Sequence, residues 1–556
     1  MLTQFNFMNK KWIWIILIGI IMLAAGLRLW QLGNVPPSPD WDEVALGYDA
    51  YSIIHTGRDE FAQFLPVVLR SFDDYKPALY AYLSIPTVLI FGLDVFAVRL
   101  PSAIFGIISV FAVFCLVQEL FKENKYKDHL ALLAAFLLAI SPWSLQFSRV
   151  GFEANVGDTL NLLAALFFVK GVNSKRWFLF ISAFFAGLSI YVYQSEKVFT
   201  PLFILLLAII YWRKLFAISK KYLFIVVVFG LIVVTPMLSY IVTNRAALLR
   251  VTGTSIFSYQ TQLLQNDIQK LQQDTVNHDQ LGLILDNRRF IFASTIISGY
   301  IIHFDPNWLF VTGDISRHHA PNMGLIYLFE VPFILFGIYT LLFGEFDKKT
   351  KLVVFGWLLL APVPASITTG VPHAVRTLNF LPTWQILSAI GILFAFIFFN
   401  KYKKTKYIFY LIFIVVFVFN FAYYLDQYFV QQNYYNSQDW QYGYQQAVAE
   451  VKAIGGSYHQ ILVSDTAPLD KSYMFFLFYL QYPPQEYQIV GKNSSGGFTS
   501  HHSFGKYIFR TIDWNKDSHL KNTLIIGNPS EIPSGVGVIK TIYDLNGNPA
   551  IKIVGT

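Results

Sequence analysis

The chain has 556 residues, of which 55% are hydrophobic and only 14% charged, with a mean hydropathy of +0.47. Soluble domains carry roughly 25% charged residues, so an ordinary soluble enzyme and a disordered chain are excluded. A disulfide scaffold is excluded too, because Cys115 is the single cysteine. The net charge of +8 reads first as a membrane-topology signal rather than a nucleic-acid footprint, and 17% aromatics suit membrane–water boundaries.

A helix needs roughly 20 mostly apolar residues to cross the hydrocarbon core. The first such run, Trp12 to Trp30, follows Lys10-Lys11 and is longer than the roughly 7–15 residues of a signal-peptide core. Later runs lie near 98–121, 129–147, 155–172, 177–194, 198–212, 222–243, 323–343, 351–369, 377–399 and 407–425. They predict a mainly α, polytopic membrane protein of about 11 (10–13) transmembrane helices. If Lys10-Lys11 is cytoplasmic, the basic clusters near 122–127, 170–176, 213–221, 348–351 and 401–406 all fall on the cytoplasmic side. That orientation predicts a multi-pass protein with its N-terminus inside, and the expected location is the plasma or inner membrane.

Two long loops then lie outside. In the first outer loop, 31–97, Val44, Tyr48, Tyr51 and Ile54 share one helical face, and Leu79 to Phe91 is too short to span. Both stretches predict helices lying at the membrane surface. The large outer loop, 244–322, is polar and rich in Gln and Asn. Residues 1–425 therefore form a transmembrane domain, and residues 426–556 a small extracytoplasmic soluble domain. Within the latter, Tyr444 to Lys452 and Met474 to Leu480 read as helices, and 459–463, 524–526, 537–542 and 550–554 as strands, so the fold is α/β.

Polar groups are costly against this background and therefore informative. Asp42 and Glu43 directly follow the first span, and either cap the next helix or serve catalysis. Asp73-Asp74-Tyr75-Lys76-Pro77 follows in the same loop, and Lys76 either snorkels to the interface or holds a phosphate. Arg149 and Glu153 stand four residues apart, positioned to pair with each other or to face a ligand, and Asp158 lies one turn deeper. Gly313-Asp314-Ile315-Ser316-Arg317-His318-His319 and Pro372-His373-Ala374-Val375-Arg376 mark two further outer helix ends. A bound divalent metal ion is possible, with His318, His319 and Asp74 as weak candidate ligands; no helical His-Glu-x-x-His pattern is present. Carboxylates, cations and interfacial aromatics on one face suit a reaction whose leaving group is a lipid phosphate.

The order Asp42-Glu43, Lys76-Pro77-x-Leu79-Tyr80, Phe91-Gly92 and Arg99-Leu100-Pro101-Ser102 resembles GT-C glycosyltransferases. Within them it is similar to the bacterial branch related to protein O-mannosyltransferases and the lipid A aminoarabinose transferase. The resemblance implies a GT-C arrangement and inverting transfer of a hexosyl or pentosyl group from a polyprenyl-phosphate-linked donor. The acceptor would be a protein, lipid or glycan of the cell envelope. It implies that Asp42 is the general base, that Glu153 positions a substrate or serves as the base instead, and that Lys76 and Arg376 contact the donor phosphate. Glu43, Tyr48, Tyr80, Arg149, Arg317, His318 and His373 are the remaining candidate substrate contacts. The family's Lys-Pro-Pro reads Lys76-Pro77-Ala78 here, and Tyr75 stands where some relatives carry an acidic metal ligand. The rival reading is a transporter or lipid-linked glycan flippase. It predicts internal repeats and polar groups near the bilayer midplane, and neither is visible.

Overall fold

The computed structural model describes residues 9–72, 74–244, 255–257, 262–490 and 502–556. Helix α1 (Lys10–Leu29) starts where the Asn9 side chain accepts the Lys11 N–H. It ends on Arg149, whose guanidinium donates to the carbonyls of Leu27 (2.6 Å), Arg28 (3.1 Å) and Val35 (3.1 Å), groups that have no intrahelical partner. Helix α2 (Trp41–Thr56) opens with a capping box between Asp40 and Glu43 and stops at Gly57, whose φ of 67° suits a residue without Cβ. An antiparallel hairpin, β1 (Val68–Ser71) and β2 (Asp74–Pro77), pairs Leu69 with Lys76. It leads into α3 (Leu79–Phe91) and α4 (Val95–Leu120).

The membrane part continues with α5 (Lys127–Ile140) and α6 (Pro142–Ser148), which are bent 57° where Ser141 caps and Pro142 starts a new helix. Then come α7 (Glu153–Asn173), α8 (Phe178–Ser189), α9 (Glu196–Ile210) and α10 (Lys220–Thr243). The large outer loop, whose polar composition predicts no helix, holds three: α11 (Gln262–Val276), α12 (Gln280–Leu285) and α13 (Arg288–Ile301). Helices α14 (Val331–Phe343), α15 (Lys348–Leu360), α16 (Thr383–Phe399) and α17 (Thr405–Asp426) complete this part.

Each apolar run expected to span contains a helix, although the runs 177–194, 323–343 and 351–369 are helical over only part of their length. Among the described residues five helices are long and apolar enough to cross a membrane, or six counting the bent α5–α6 pair. The expected count of about eleven is therefore not reached by length and composition. Helices α8, α9, α14 and α15 are short, at 12, 15, 13 and 13 residues. Helix α7 has the length but carries Glu153, Asp158 and Lys170. The chain is a multi-pass membrane protein.

Beyond α17, α18 (Tyr444–Ile454) precedes β3 (Gln460–Val463), α19 (Ser472–Leu480), β4 (His502–Phe504), β5 (Tyr507–Phe509), β6 (Thr523–Gly527), β7 (Lys540–Tyr543) and β8 (Pro549–Gly555). The six strands make one sheet in the order β4-β5-β3-β6-β8-β7, parallel across β5-β3-β6 and antiparallel at both edges. Helix α19 is buried along Tyr473–Phe478 and shares one apolar cluster with Val44, Ala45 and Tyr48 of α2 and with sheet residues Ile461, Phe509 and Ile551. The approach is close at Gly47, where a Cβ would come within 2.6 Å of Val98 and 2.8 Å of Phe478.

Candidate functional site

The two carboxylates after the first span part company. Adjacent helical residues point about 100° apart. Glu43 therefore turns inward, where its oxygens accept from Arg99 Nε (2.8 Å), Arg99 Nη2 (3.0 Å), Gly151 N (2.6 Å) and Asp40 N (2.9 Å). Arg99 spends its remaining donors on the carbonyls of Leu32, Pro36 and Ser38. Glu43, expected as a substrate contact, is thus saturated by the scaffold. Asp42 faces the other way, half exposed, and forms an ion pair with buried Lys76 of β2.

Asp40 lies buried behind Asp42. Its Oδ1 accepts the Asp42 N–H at 2.7 Å, while its Oδ2 pairs with Arg317. Trp41 receives two cations, Arg317 at 3.9 Å and Lys471 at 3.7 Å from the ring centroid. Lys471 precedes α19 and also pairs with Asp470, so the sheet-bearing segment supplies part of the wall. The Arg317 loop is itself held: Gln146 Nε2 donates to the Arg317 carbonyl at 2.7 Å and Asn436 Nδ2 to the Ser316 carbonyl at 3.0 Å.

Behind Arg317 lies a second cluster. His318 Nδ1 is 2.9 Å from Asp314 Oδ2, and the rings of His318 and His373 are 5.1 Å apart. The same Oδ2 accepts the Ala374 N–H at 2.6 Å. Burial pushes the Asp314 carboxyl up, but the hydrogen bonds from His318 and Ala374 outweigh it and bring the pKa down to about 2. Burial lowers both His318 and His373 and takes His303 to about 4. Neutral His303 Nε2 then accepts the His373 N–H at 3.2 Å. Arg376 leaves this loop to donate to Thr368 Oγ1 and the Thr369 carbonyl, both at 2.6 Å.

The other expected site residues sit in the scaffold or at its edge. Arg149 does not pair with Glu153 as its spacing allowed; it caps α1 and packs on Phe429, 4.7 Å from the centroid. Tyr48 donates to the Tyr482 carbonyl at 3.0 Å, and Tyr80 to the Val98 carbonyl at 2.9 Å, both buried. Glu153 is the first residue of α7 and buried, next to Phe152, whose ring packs 6.0 Å from His318. His319 turns away, its Nδ1 2.7 Å from the Ala320 carbonyl. Asp74 stands in β2, and its side chain lies outside the described residues.

Sequence reasoning gave no site role to Asp40 and Trp41, which directly precede Asp42, nor to Asp314, which lay inside a motif it singled out. Lys471 carried no local signal, since only the tertiary fold brings it to Trp41.

Residues 75–240 match the family model described as dolichyl-phosphate-mannose-protein mannosyltransferase. ArnT from Cupriavidus metallidurans in the apo state matches in structure with a TM-score of 0.54 at 11% identity, covering 98% of each chain. This is a GT-C fold. The same ArnT bound to undecaprenyl phosphate gives a TM-score of 0.53 at 11% identity, again over 98% of each chain. The archaeal oligosaccharyltransferase AglB from Archaeoglobus fulgidus, in complex with an inhibitory peptide and a dolichol-phosphate, gives 0.49 at 14% identity, covering 84% of this chain and 64% of its own. No curated protein matches the sequence.

Proposed function

We propose that this GT-C protein transfers a sugar, with inversion, from a polyprenyl-phosphate-linked donor to an acceptor on the non-cytoplasmic face. The sugar is a hexosyl or pentosyl group, and the acceptor a protein, lipid or glycan. The basic clusters support an orientation with the N-terminus in the cytoplasm and the sheet domain outside. The observation that carries the reading is the Asp42–Lys76 pair, half open at the start of α2, with Asp40 and Arg317 beside it. The undecaprenyl phosphate bound by the fold relative ArnT supports a lipid-phosphate donor.

The pair suggests an order of events. Donor phosphate competes with Asp42 for Lys76, because an ammonium serves either anion as a point charge. Once Lys76 moves to the phosphate, Asp42 is an unpaired carboxylate able to take the proton of the acceptor hydroxyl or amine. The acceptor atom bonds to the anomeric carbon as the bond to the phosphate oxygen breaks. The electron pair leaves with the polyprenyl phosphate, whose charge Lys76 neutralises. Glu153, buried near the Asp314 cluster, positions a substrate. A transporter would gather polar groups at the midplane, whereas these groups cluster where α2 begins, at the hairpin and in the loops preceding α14 and α16.

The test uses the purified protein in liposomes with a labelled polyprenyl-phosphate sugar and a panel of acceptors. Asp42→Asn is expected to lower transfer by about 100-fold or more, the usual worth of a general base, with protein abundance unchanged. Full transfer by the variant overturns the base assignment. Lipid translocation without any transfer by the parent protein overturns the transferase reading itself.

A further inference from the structure

We propose that Asp314, His318 and His373 form a three-ligand site for a divalent transition-metal ion of the zinc class. Each residue offers one ligand atom, and the three atoms lie within 4.8 Å of one another. Zinc bonds to nitrogen and oxygen are about 2.0–2.2 Å, so tetrahedral ligands sit roughly 3.4 Å apart, and closing the set needs only side-chain adjustment. His373 Nδ1 is buried and has no hydrogen-bond partner among the described residues. Buried polar nitrogens almost always have one, so His373, whose ring lies 5.1 Å from that of His318, has a ring nitrogen to spare for a cation. The donor set of two imidazoles and one carboxylate suits zinc or a neighbouring transition metal, whereas magnesium and calcium take oxygen.

The surroundings are tied as a ligand set needs. His303 Nδ1 donates to the Gly299 carbonyl at 2.6 Å, which leaves Nε2 to accept the His373 N–H. The Ala374 N–H orients Asp314. Phe147 and Phe152 pack on the His318 ring at 5.6 and 6.0 Å. Such outer contacts fix ligand orientation. The ion would join two loops far apart in sequence, 313–319 and 371–376. Arg317 stands between two members of the first loop and reaches Asp40 and Trp41. A metal here would therefore position Arg317 at the wall of the candidate site. Three protein ligands also leave one coordination position open.

Metal binding is read without any transfer assay, so its outcome is separate from that of the transferase reading. Full-length protein in detergent is stripped with a chelator, incubated with Zn2+, passed through gel filtration and analysed for metal. About one zinc per chain is expected to remain. His318→Ala and His373→Ala are expected to lose it, while His319→Ala keeps it. Co2+ added to the stripped parent protein should give a visible d–d absorption that Zn2+ abolishes, a readout that needs no variant to fold. Failure of the parent to retain zinc, absence of the Co2+ band, or equal zinc in His373→Ala each overturns the proposal.

Discussion

Asp42 and Glu43 are neighbours in sequence and opposites in role. Glu43 closes a buried ion pair with Arg99, and removing one partner of such a pair costs about 3–5 kcal/mol because a charge is left uncompensated. Glu43→Gln is therefore expected to lower the thermal midpoint by several degrees and to reduce yield. Asp42→Asn should lower the midpoint less than Glu43→Gln does, because the Asp42 carboxylate is part exposed and solvent-screened whereas Glu43 and Arg99 are both fully buried. Thermal unfolding of the two variants side by side distinguishes them, and equal destabilisation would contradict the division of labour. Lys76→Ala separates donor from acceptor: we expect donor KM to rise about tenfold or more with acceptor KM little changed, consistent with loss of a charge-assisted contact. An effect confined to the acceptor would remove Lys76 from the phosphate. The acidic pair was legible in the sequence, but its division was not. It depends on where the helix begins, and Asp40 takes the cap that places Glu43 inside and Asp42 outside.

At the level of elements, the apolar runs announced their helices because a periodic stretch of that length has few alternatives. The elements missed were those whose signal was short or mixed. Strands β4 and β5 have three residues each, and α13 alternates Arg and Ser with Phe and Ile. The turn after α2 was missed for another reason: its chemistry is set by burial. Asp59 accepts the Phe61 and Gln63 N–H groups at 3.0 and 2.8 Å, and Glu60 is fully buried beneath it with Asp49 close by. Burial raises all three, Asp59 to about 6. An acid whose folded pKa lies above its unfolded value stabilises the fold below the unfolded pKa, and that contribution is lost as pH rises through the folded pKa. The contribution of Asp59 is thus lost between about pH 4 and pH 6, and Asp59→Asn is expected to make the thermal midpoint fall less, or rise more, across that window than in the parent protein. A slope unchanged in Asp59→Asn would show that Asp59 does not contribute to it.

On the scale of the whole molecule, the composition changes after residue 425, and packing ties the segment beyond it to α2. The Tyr473–Phe478 stretch of α19 is the shared layer between the sheet and α2. Tyr48 is sealed by Tyr482 and Tyr487, Gln488 donates to Ser52 and Thr56, and Gly47 lets Phe478 approach without a Cβ in the way. Lys471 then reaches Trp41 from the same segment. Removing the segment would expose Val44, Ala45 and Tyr48, a contiguous apolar face of the kind that drives association. A chain ending at residue 440 is therefore expected to elute as an aggregate in detergent gel filtration, where the full chain gives a single symmetric peak. Tyr48→Ala in the full chain should cost about 3–5 kcal/mol, the usual price of emptying a buried aromatic site. A docking module hung on a self-sufficient membrane domain would behave otherwise: the truncated chain would elute cleanly and lose only acceptor use. A clean peak with donor binding intact would establish that arrangement and reduce the Trp41–Lys471 contact to a dispensable one.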